Sequence, residues 1–327
     1  MKTCPTESRT VLIKVPASTA NLGPGFDSLG LALELYAWIE MSAAPQTKIH
    51  LYGEQTKGLP VDKSNLLYTV AQQVFVRAGV AVPELEISIY SDIPLTRGLG
   101  SSAAAIVGAL AAANELIGNP LTLDDLFQMA SSIEKHPDNV GASLFGGLVV
   151  AFWDGVRAEY IRVEPDSRLE TVVAIPEFQL STEKARKVIP QTLALGDAVF
   201  NIGHSNLLVA ALCTGRYASI RLAMKDVIHQ PYRAALIPGM VEVLKGASEH
   251  GALGAALSGA GPTLIALVDS GEERKDELED FLTNTLLAAG TRASLQWLKP
   301  SSEGVRLLTC SGDHFTFMEA IGKEGFV

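Results

Sequence analysis

The run SSAAAIVGALAAANELI, residues 101–117, constrains this chain more than any other segment. It carries no charge before Glu115 and alanine fills its body, so it reads as the clearest helix of the chain, with serine as the expected N-cap. Directly before it stands the loop PLTRGLG, Pro94–Gly100, itself preceded by the alternating strand pattern LEISIY. Strand, glycine loop and helix together suit an anion. Gly98 and Gly100 let backbone N–H groups approach it, and the helix N-terminus adds the positive end of a dipole. Ser101 and Ser102 put hydroxyls where they would touch phosphate or a phosphate-bound Mg²⁺. A plain glycine turn feeding a buried alanine helix would look the same locally. Gly98-x-Gly100-x-x-Ala103 also fits the dinucleotide fingerprint, but it stands late in the chain. No acidic residue ends a strand about 20 residues further on. No G-x-x-x-x-G-K-[ST] occurs, which excludes an ordinary P-loop.

The chain has 327 residues, enough for about two domains and a sizeable core without disulfide or metal staples. With Lys+Arg 26 against Asp+Glu 36 the net charge is −10. That balance argues against nucleic acid or an anionic membrane as the main partner, while leaving room for a local basic pocket. Cys4, Cys213 and Cys310 are odd in number, far apart and form no CxxC pair, so a reduced cytoplasmic setting is expected. The stretch MKTCPTESRTVLIKVP lacks the apolar core of a secretory signal. Residues 251–268 are free of charge, but their glycines and Pro262 would break a membrane helix, and they read instead as buried elements around a loop.

Residues 9–15 alternate and meet Pro16, which predicts an edge strand leading into the loop PASTANLGPGFDSLG. Helices are expected over 65–78, 123–134 (capped at Thr122) and 272–289, and strands over 84–90, 146–152, 171–175 and 292–298. The order suggests an α+β fold in two lobes, 1–165 and 166–327, with 310–327 an appended tail.

Three further constellations could carry chemistry. Asn21 and Asp27 sit among Gly23, Pro24 and Gly25, where they would show polar side chains to a ligand or simply cap a structural loop. Glu134, His136, Asp138 and Asn139 close a helix ahead of a glycine turn into a strand. Glu134 could hold Mg²⁺ and the others could hydrogen-bond a polar substrate, although a lone His is more often structural; no zinc spacing is present. GALGAALSGAGPT, residues 251–263, with Gly259 and Gly261, would let a second backbone approach a ligand, or merely pack closely. Arg186 and Arg233, each flanked by loop residues, read singly as surface charges; together they could fork onto a carboxylate.

Their order along one chain resembles the GHMP small-molecule kinases: P-x-S-T-A-N-L-G-P-G-F-D near the start, G-L-G-S-S-A-A in the middle and G-A-x-L-S-G-A-G-P-T late. With HPDN, STEKAR and HQPYR the set is similar to the homoserine-kinase branch, over about residues 11–298. The resemblance implies a ribosomal-protein-S5-like N-terminal lobe and a ferredoxin-like C-terminal lobe, with ATP and L-homoserine between them. It makes Pro94, Leu95, Thr96, Arg97, Gly98, Leu99, Gly100, Ser101, Ser102, Ala103 and Ala104 the phosphate loop, supported by Gly259 and Gly261. Ser101 or Ser102 and Glu134 would hold Mg²⁺. Asn21 and Asp27 would take the substrate ammonium, Arg186 and Arg233 the carboxylate, and His136 and Asn139 the hydroxyl end. Lys135 stands where the family often has glycine, and GASLFGG replaces APALLGG.

Phosphoryl transfer needs mainly positioning and charge neutralisation. An amide cannot take a proton, so Asn139 would orient the hydroxyl, with Asp138 left as an alternative base. A non-catalytic sensor would be expected to lack Glu134 or the serine pair. A serine hydrolase would need G-x-S-x-G, which is missing around Ser102. The sequence sets no oligomeric state, and a homodimer stays open.

Overall fold

The computed structural model describes residues 2–3, 9–308 and 316–323. Strands β1 (Thr10–Asn21), β2 (Gly25–Ala43) and β3 (Lys48–Tyr52) come first, then helix α1 (Leu66–Ala78) and strand β4 (Leu85–Ser91). Helices α2 (Ser101–Leu116), α3 (Leu123–Glu134) and α4 (Asp138–Phe145) follow, and then strands β5 (Leu148–Trp153) and β6 (Ala158–Val163). The second half holds β7 (Leu169–Pro176), α5 (Thr182–Lys187), α6 (Leu195–Thr214), α7 (Gln230–Arg233) and α8 (Met240–Gly246). It continues with β8 (Gly254–Leu257), β9 (Leu264–Asp269), α9 (Lys275–Ala288), β10 (Ala293–Leu298), β11 (Arg306–Leu308) and α10 (Phe317–Ala320).

Residues 16–30 correct the expected loop. Proline and the dense glycines suggested irregular chain, yet β1 runs on to Asn21 and pairs antiparallel with the long β2. A register shift between Pro16 and Ala17 accommodates a residue that cannot donate to the ladder. Burial drives the rest: Val15, Ala17, Ser18 and Thr19 are completely buried. The strands order as β11-β1-β2-β4-β3, with β5 pairing β2 and β6; only β3 and β4 run parallel. The alanine helix α2 lies across this sheet, buried from Ala103 to Leu116 apart from a few positions. Its approach is so close that a Cβ at Gly108 would stand 2.4 Å from Ile39.

The second sheet orders β8-β9-β7-β10, all antiparallel. Strands β7, β8 and β9 are buried on both faces, whereas the edge strand β10 exposes Ser294 and Gln296. Val172, Ala174, Leu264 and Ala266 face α8 and α9, while Val173, Ile265 and Leu267 join the core beneath the first sheet. The uncharged stretch around 251–268 is thus a buried β-hairpin.

Two further readings change. The expected tail is in part folded back: Phe317 and Met318 of α10 pack against Leu12 and Trp38, and just ahead of the tail β11 pairs with β1. Residues 309–315 and 324–327, with Cys310 and Cys4, lie outside the described residues. Between Pro137 and Gly146, where a glycine turn was expected to lead straight into a strand, the chain forms α4. The Thr122 cap of α3 is present as a full capping box with Asp125. Lys135 ends that helix at φ 67, the left-handed backbone that glycine adopts without cost.

Candidate active site

Three backbone turns converge to form the floor of one cleft. The first is the tip of the β1–β2 hairpin, where Asn21, Leu22 and Asp27 take positive φ. Asn21 acts as a clamp: its amide donates to Gly259 O at 2.9 Å and its carbonyl accepts from Asp27 N–H at 3.0 Å. The second is the loop before α2. Gly98 and Gly100 both have positive φ, and added Cβ atoms would stand 2.3 Å from Ser258 O and 2.1 Å from Ser18 Oγ. The third is the turn 258–263, where Ser258 Oγ donates to Gly98 O at 2.6 Å and Gly259 N donates to Ala20 O. Small residues were needed here because the two glycine loops touch each other.

Gly100, not a serine, caps α2, and no side chain accepts from its first turn. The expected Ser cap is therefore corrected. Glycine has no side chain to cap with, and the N–H groups of Ser101, Ser102 and Ala103 have no protein acceptor among the described residues. All three residues line the cleft. Ser102 Oγ donates to Glu134 Oε1 at 2.5 Å.

Glu134 and His136 come from the α3 exit, and α4 carries Asp138 and Asn139. His136 Nδ1 lies 2.6 Å from Asp138 Oδ1, and its Nε2 is 3.5 Å from Glu134 Oε2. Burial opposes a charge on this ring, but Asp138, Asp27 and Glu134 outweigh it and push its pKa up to about 9. His136 is accordingly a cation among carboxylates at neutral pH. Asp138 Oδ1 also accepts from Asn139 N–H at 2.7 Å. Asn139 Oδ1 accepts from Ser18 Oγ at 3.0 Å, and Ser18 Oγ accepts in turn from Ser143 Oγ at 3.2 Å. The acceptor end of the Asn139 amide is thereby occupied, and its N–H₂ end remains for a ligand.

The arginines are not the surface charges their flanks suggested. Arg186 forks onto Asp27 with bonds of 3.0 and 2.7 Å. Arg233 is 1% exposed. Its Nε donates to Ala185 O at 3.0 Å and one Nη to Gly259 O at 3.0 Å. Among the described residues no carboxylate forms an ion pair with it. Burial first, and then the charge of Arg186, push its pKa down to about 10. Phe26 lies against both guanidinium groups, 5.6 Å from that of Arg186 and 5.4 Å from that of Arg233.

The cleft thus brings together Asn21, Asp27, Thr96, Gly98, Gly100, Ser101, Ser102, Ala103, Glu134, His136, Asp138, Asn139, Arg186, Arg233, Gly259 and Gly261. Leu99 and Ala104 are instead core residues. Arg97 is an anchor, donating to the carbonyls of Pro176 and Glu177, while Pro94 and Leu95 lead into the loop. Sequence reasoning did not single out Leu180, Thr182 and Ala260, which also line the cleft. It also missed an adjoining apolar cavity of about 280 Å³ walled by Leu59, Leu67, Ile89 and Leu95, which shares Thr96, Ser101 and Ser102 with the cleft.

Residues 65–147 match the family description "GHMP kinases N terminal domain" and residues 208–286 match "GHMP kinases C terminal". The chain is 40% identical over 305 residues to the homoserine kinase of Carboxydothermus hydrogenoformans, covering 93% of this chain and 99% of that protein. It is 44% identical over 262 residues to that of Deinococcus radiodurans, covering 80% and 85%. The crystal structure of homoserine kinase from Cytophaga hutchinsonii superposes with a TM-score of 0.82 at 28% identity, covering 91% of this chain and 97% of that one. A mevalonate kinase structure, with a TM-score of 0.64 at 16% identity, shares the fold. The two-lobed α+β architecture is therefore the GHMP kinase fold, and the chain belongs to the homoserine kinase family.

Proposed function

We propose that the cleft transfers the γ-phosphoryl group of ATP to the hydroxyl of L-homoserine, giving O-phospho-L-homoserine in the route from aspartate to threonine. The observation that carries the substrate assignment is Arg233, a buried guanidinium that faces the cleft without a carboxylate partner. A buried cation of this kind is costly unless something completes its pairing, and the carboxylate of an amino acid would do so. Asp27, beside it, offers the negative charge that an ammonium requires. A mevalonate or sugar alcohol lacks that pair of opposite charges.

The open N–H groups of residues 101–103 and the α2 dipole suit the ATP phosphates. The apolar cavity beside them, sharing Ser101 and Ser102, suits the adenine. Ser102 Oγ and Glu134 Oε1 are adjacent hard oxygen donors, the type Mg²⁺ takes, and Ser101 is a further hydroxyl at the same helix start. When bound there, Mg²⁺ would neutralise phosphate charge. Asn139, its acceptor end held by Ser18, is left to donate to the homoserine hydroxyl and so orient a lone pair on phosphorus. The new oxygen–phosphorus bond forms as the bond to ADP breaks, and the proton leaves to phosphate or solvent. Asp138 is already engaged by His136 and the Asn139 N–H, so we assign it to holding the His136 cation rather than to proton abstraction. We place the enzyme in the cytoplasm, where ATP is available and where an exposed free thiol such as Cys213 stays reduced.

Arg233→Lys keeps the charge and loses the planar fork. It is expected to lower kcat/KM for L-homoserine by about tenfold to a hundredfold, corresponding to roughly 1.5–3 kcal/mol. KM for ATP should hardly change. Homoserine methyl ester should be a poor substrate of the wild type and lose little further; equal relative losses for acid and ester would contradict the carboxylate assignment.

Glu134→Gln is expected to lower turnover and raise the Mg²⁺ concentration for half-maximal rate, since an amide binds a hard cation more weakly. An unchanged magnesium titration would remove Glu134 from the metal site.

The raised pKa of His136 makes its contribution to stability complete below the ordinary 6.5 and lost as pH rises through about 9. Wild type should therefore lose stability relative to His136→Gln across that window, by at most about 3 kcal/mol. Denaturation midpoints that stay parallel from pH 6 to 10 would show that His136 is not a stabilised cation.

A further inference from the structure

The motif HQPYR supplies Arg233, and its histidine stands apart from the proposed phosphoryl transfer. His229 is completely buried, stacked on Phe26 with ring centroids 5.0 Å apart. Its Nε2 lies 2.8 Å from Gly23 O, and its Nδ1 lies 3.1 Å from an Nη of Arg233. These two partners leave the ring no choice. A carbonyl only accepts, so Nε2 must carry the proton and donate it; a guanidinium only donates, so Nδ1 must be bare. Protonation would turn an N–H of the ring against an N–H of Arg233. The charged groups facing the ring agree with a neutral form. Burial and Arg233 lower its pKa, whereas Asp226 and Asp27 act the other way without prevailing. Asp226 is 3.6 Å from Nε2 and already accepts from the N–H groups of His229 and Gln230.

We propose that His229 is a positioning residue: held as the neutral Nε2–H tautomer by the Gly23 carbonyl, it accepts from Arg233 and aims that guanidinium at the substrate carboxylate. The inference rests on the carboxylate reading of Arg233. It extends that reading by tying the arginine to the hairpin tip that also carries Asn21 and Asp27. With Ala185 O and Gly259 O taking two other N–H directions, the His229 nitrogen completes a cradle on three sides, and the remaining Nη has no protein partner among the described residues. A residue that merely filled space would need the ring but not its bare nitrogen.

His229→Phe keeps the ring and the stack on Phe26 but removes both hydrogen bonds, and His229→Gln returns a donor and an acceptor. The test is kcat and KM for L-homoserine, for its methyl ester and for ATP in wild type, both His229 variants, Arg233→Lys and the double variant His229→Phe/Arg233→Lys. His229→Phe is expected to raise KM for L-homoserine about tenfold, equivalent to about 1.4 kcal/mol, with KM for ATP unchanged and the ester little affected. Gln should recover part of the loss, and the double variant should be no worse than Arg233→Lys alone. If Arg233→Lys erodes the preference for acid over ester while His229→Phe does not, the positioning role is overturned and the carboxylate reading stands. If Arg233→Lys leaves that preference intact, the carboxylate reading itself fails. Nitrogen-15 NMR of the wild-type imidazole remains decisive even where the Phe variant does not fold. It should show a neutral ring protonated at Nε2 from pH 6 to 8, and an Nδ1–H or a cationic ring would overturn the proposal.

Discussion

The buried positive charge of Arg233 organises this molecule. A guanidinium out of water needs acceptors, and three separate stretches of chain supply them to its Nε and one Nη: Ala185 on α5, Gly259 in the second glycine loop and His229 just ahead of α7. His229 is anchored in turn to Gly23 at the hairpin tip. One side chain therefore fixes the relative positions of the segments that form the amino-acid end of the cleft. Arg233 also lines the cleft, where its second Nη has no protein partner among the described residues.

The end of the cleft proposed for the phosphates is built on backbone instead. The first glycine loop meets the second so closely that Gly98 admits no Cβ against Ser258, and it meets β1 so closely that Gly100 admits none against Ser18. These contacts hold the start of α2 in the cleft wall, with its first N–H groups open. Asn21 stands between the two ends, bonded to Gly259 on one side and Asp27 on the other. Without ligand, Asp27 and Arg186 satisfy each other. In the proposed function an ammonium would compete with Arg186 for Asp27 while a carboxylate pairs with the arginines.

Local signals made half of this legible. The alanine helix, the glycine loop and the Thr122 capping box depend on neighbours in sequence, and the motifs fell on the residues that line the cleft. Where tertiary contacts override local chemistry, the sequence misled. Pro16 and the glycines after it spell a loop, yet complete burial of residues 15–20 requires that their backbone polar groups be paired, and the chain continues as strand. Helix α4 is short and sits between Pro137 and Gly146, which masks its period. Ser18 looked unremarkable because its partner Asn139 is 121 residues away. The pairing of Arg186 with Asp27 was likewise invisible, although each was singled out as a site residue. The apolar cavity escaped notice because much of its wall comes from Leu59, Pro60, Leu66, Leu67, Ile89 and Leu95, none of which carries reactive chemistry.

The central claim is tested most directly by steady-state phosphate transfer from ATP to L-homoserine, mevalonate, galactose and shikimate under identical conditions. Turnover is expected with L-homoserine alone, with formation of O-phospho-L-homoserine together with ADP. Turnover only with mevalonate or the sugar would contradict it.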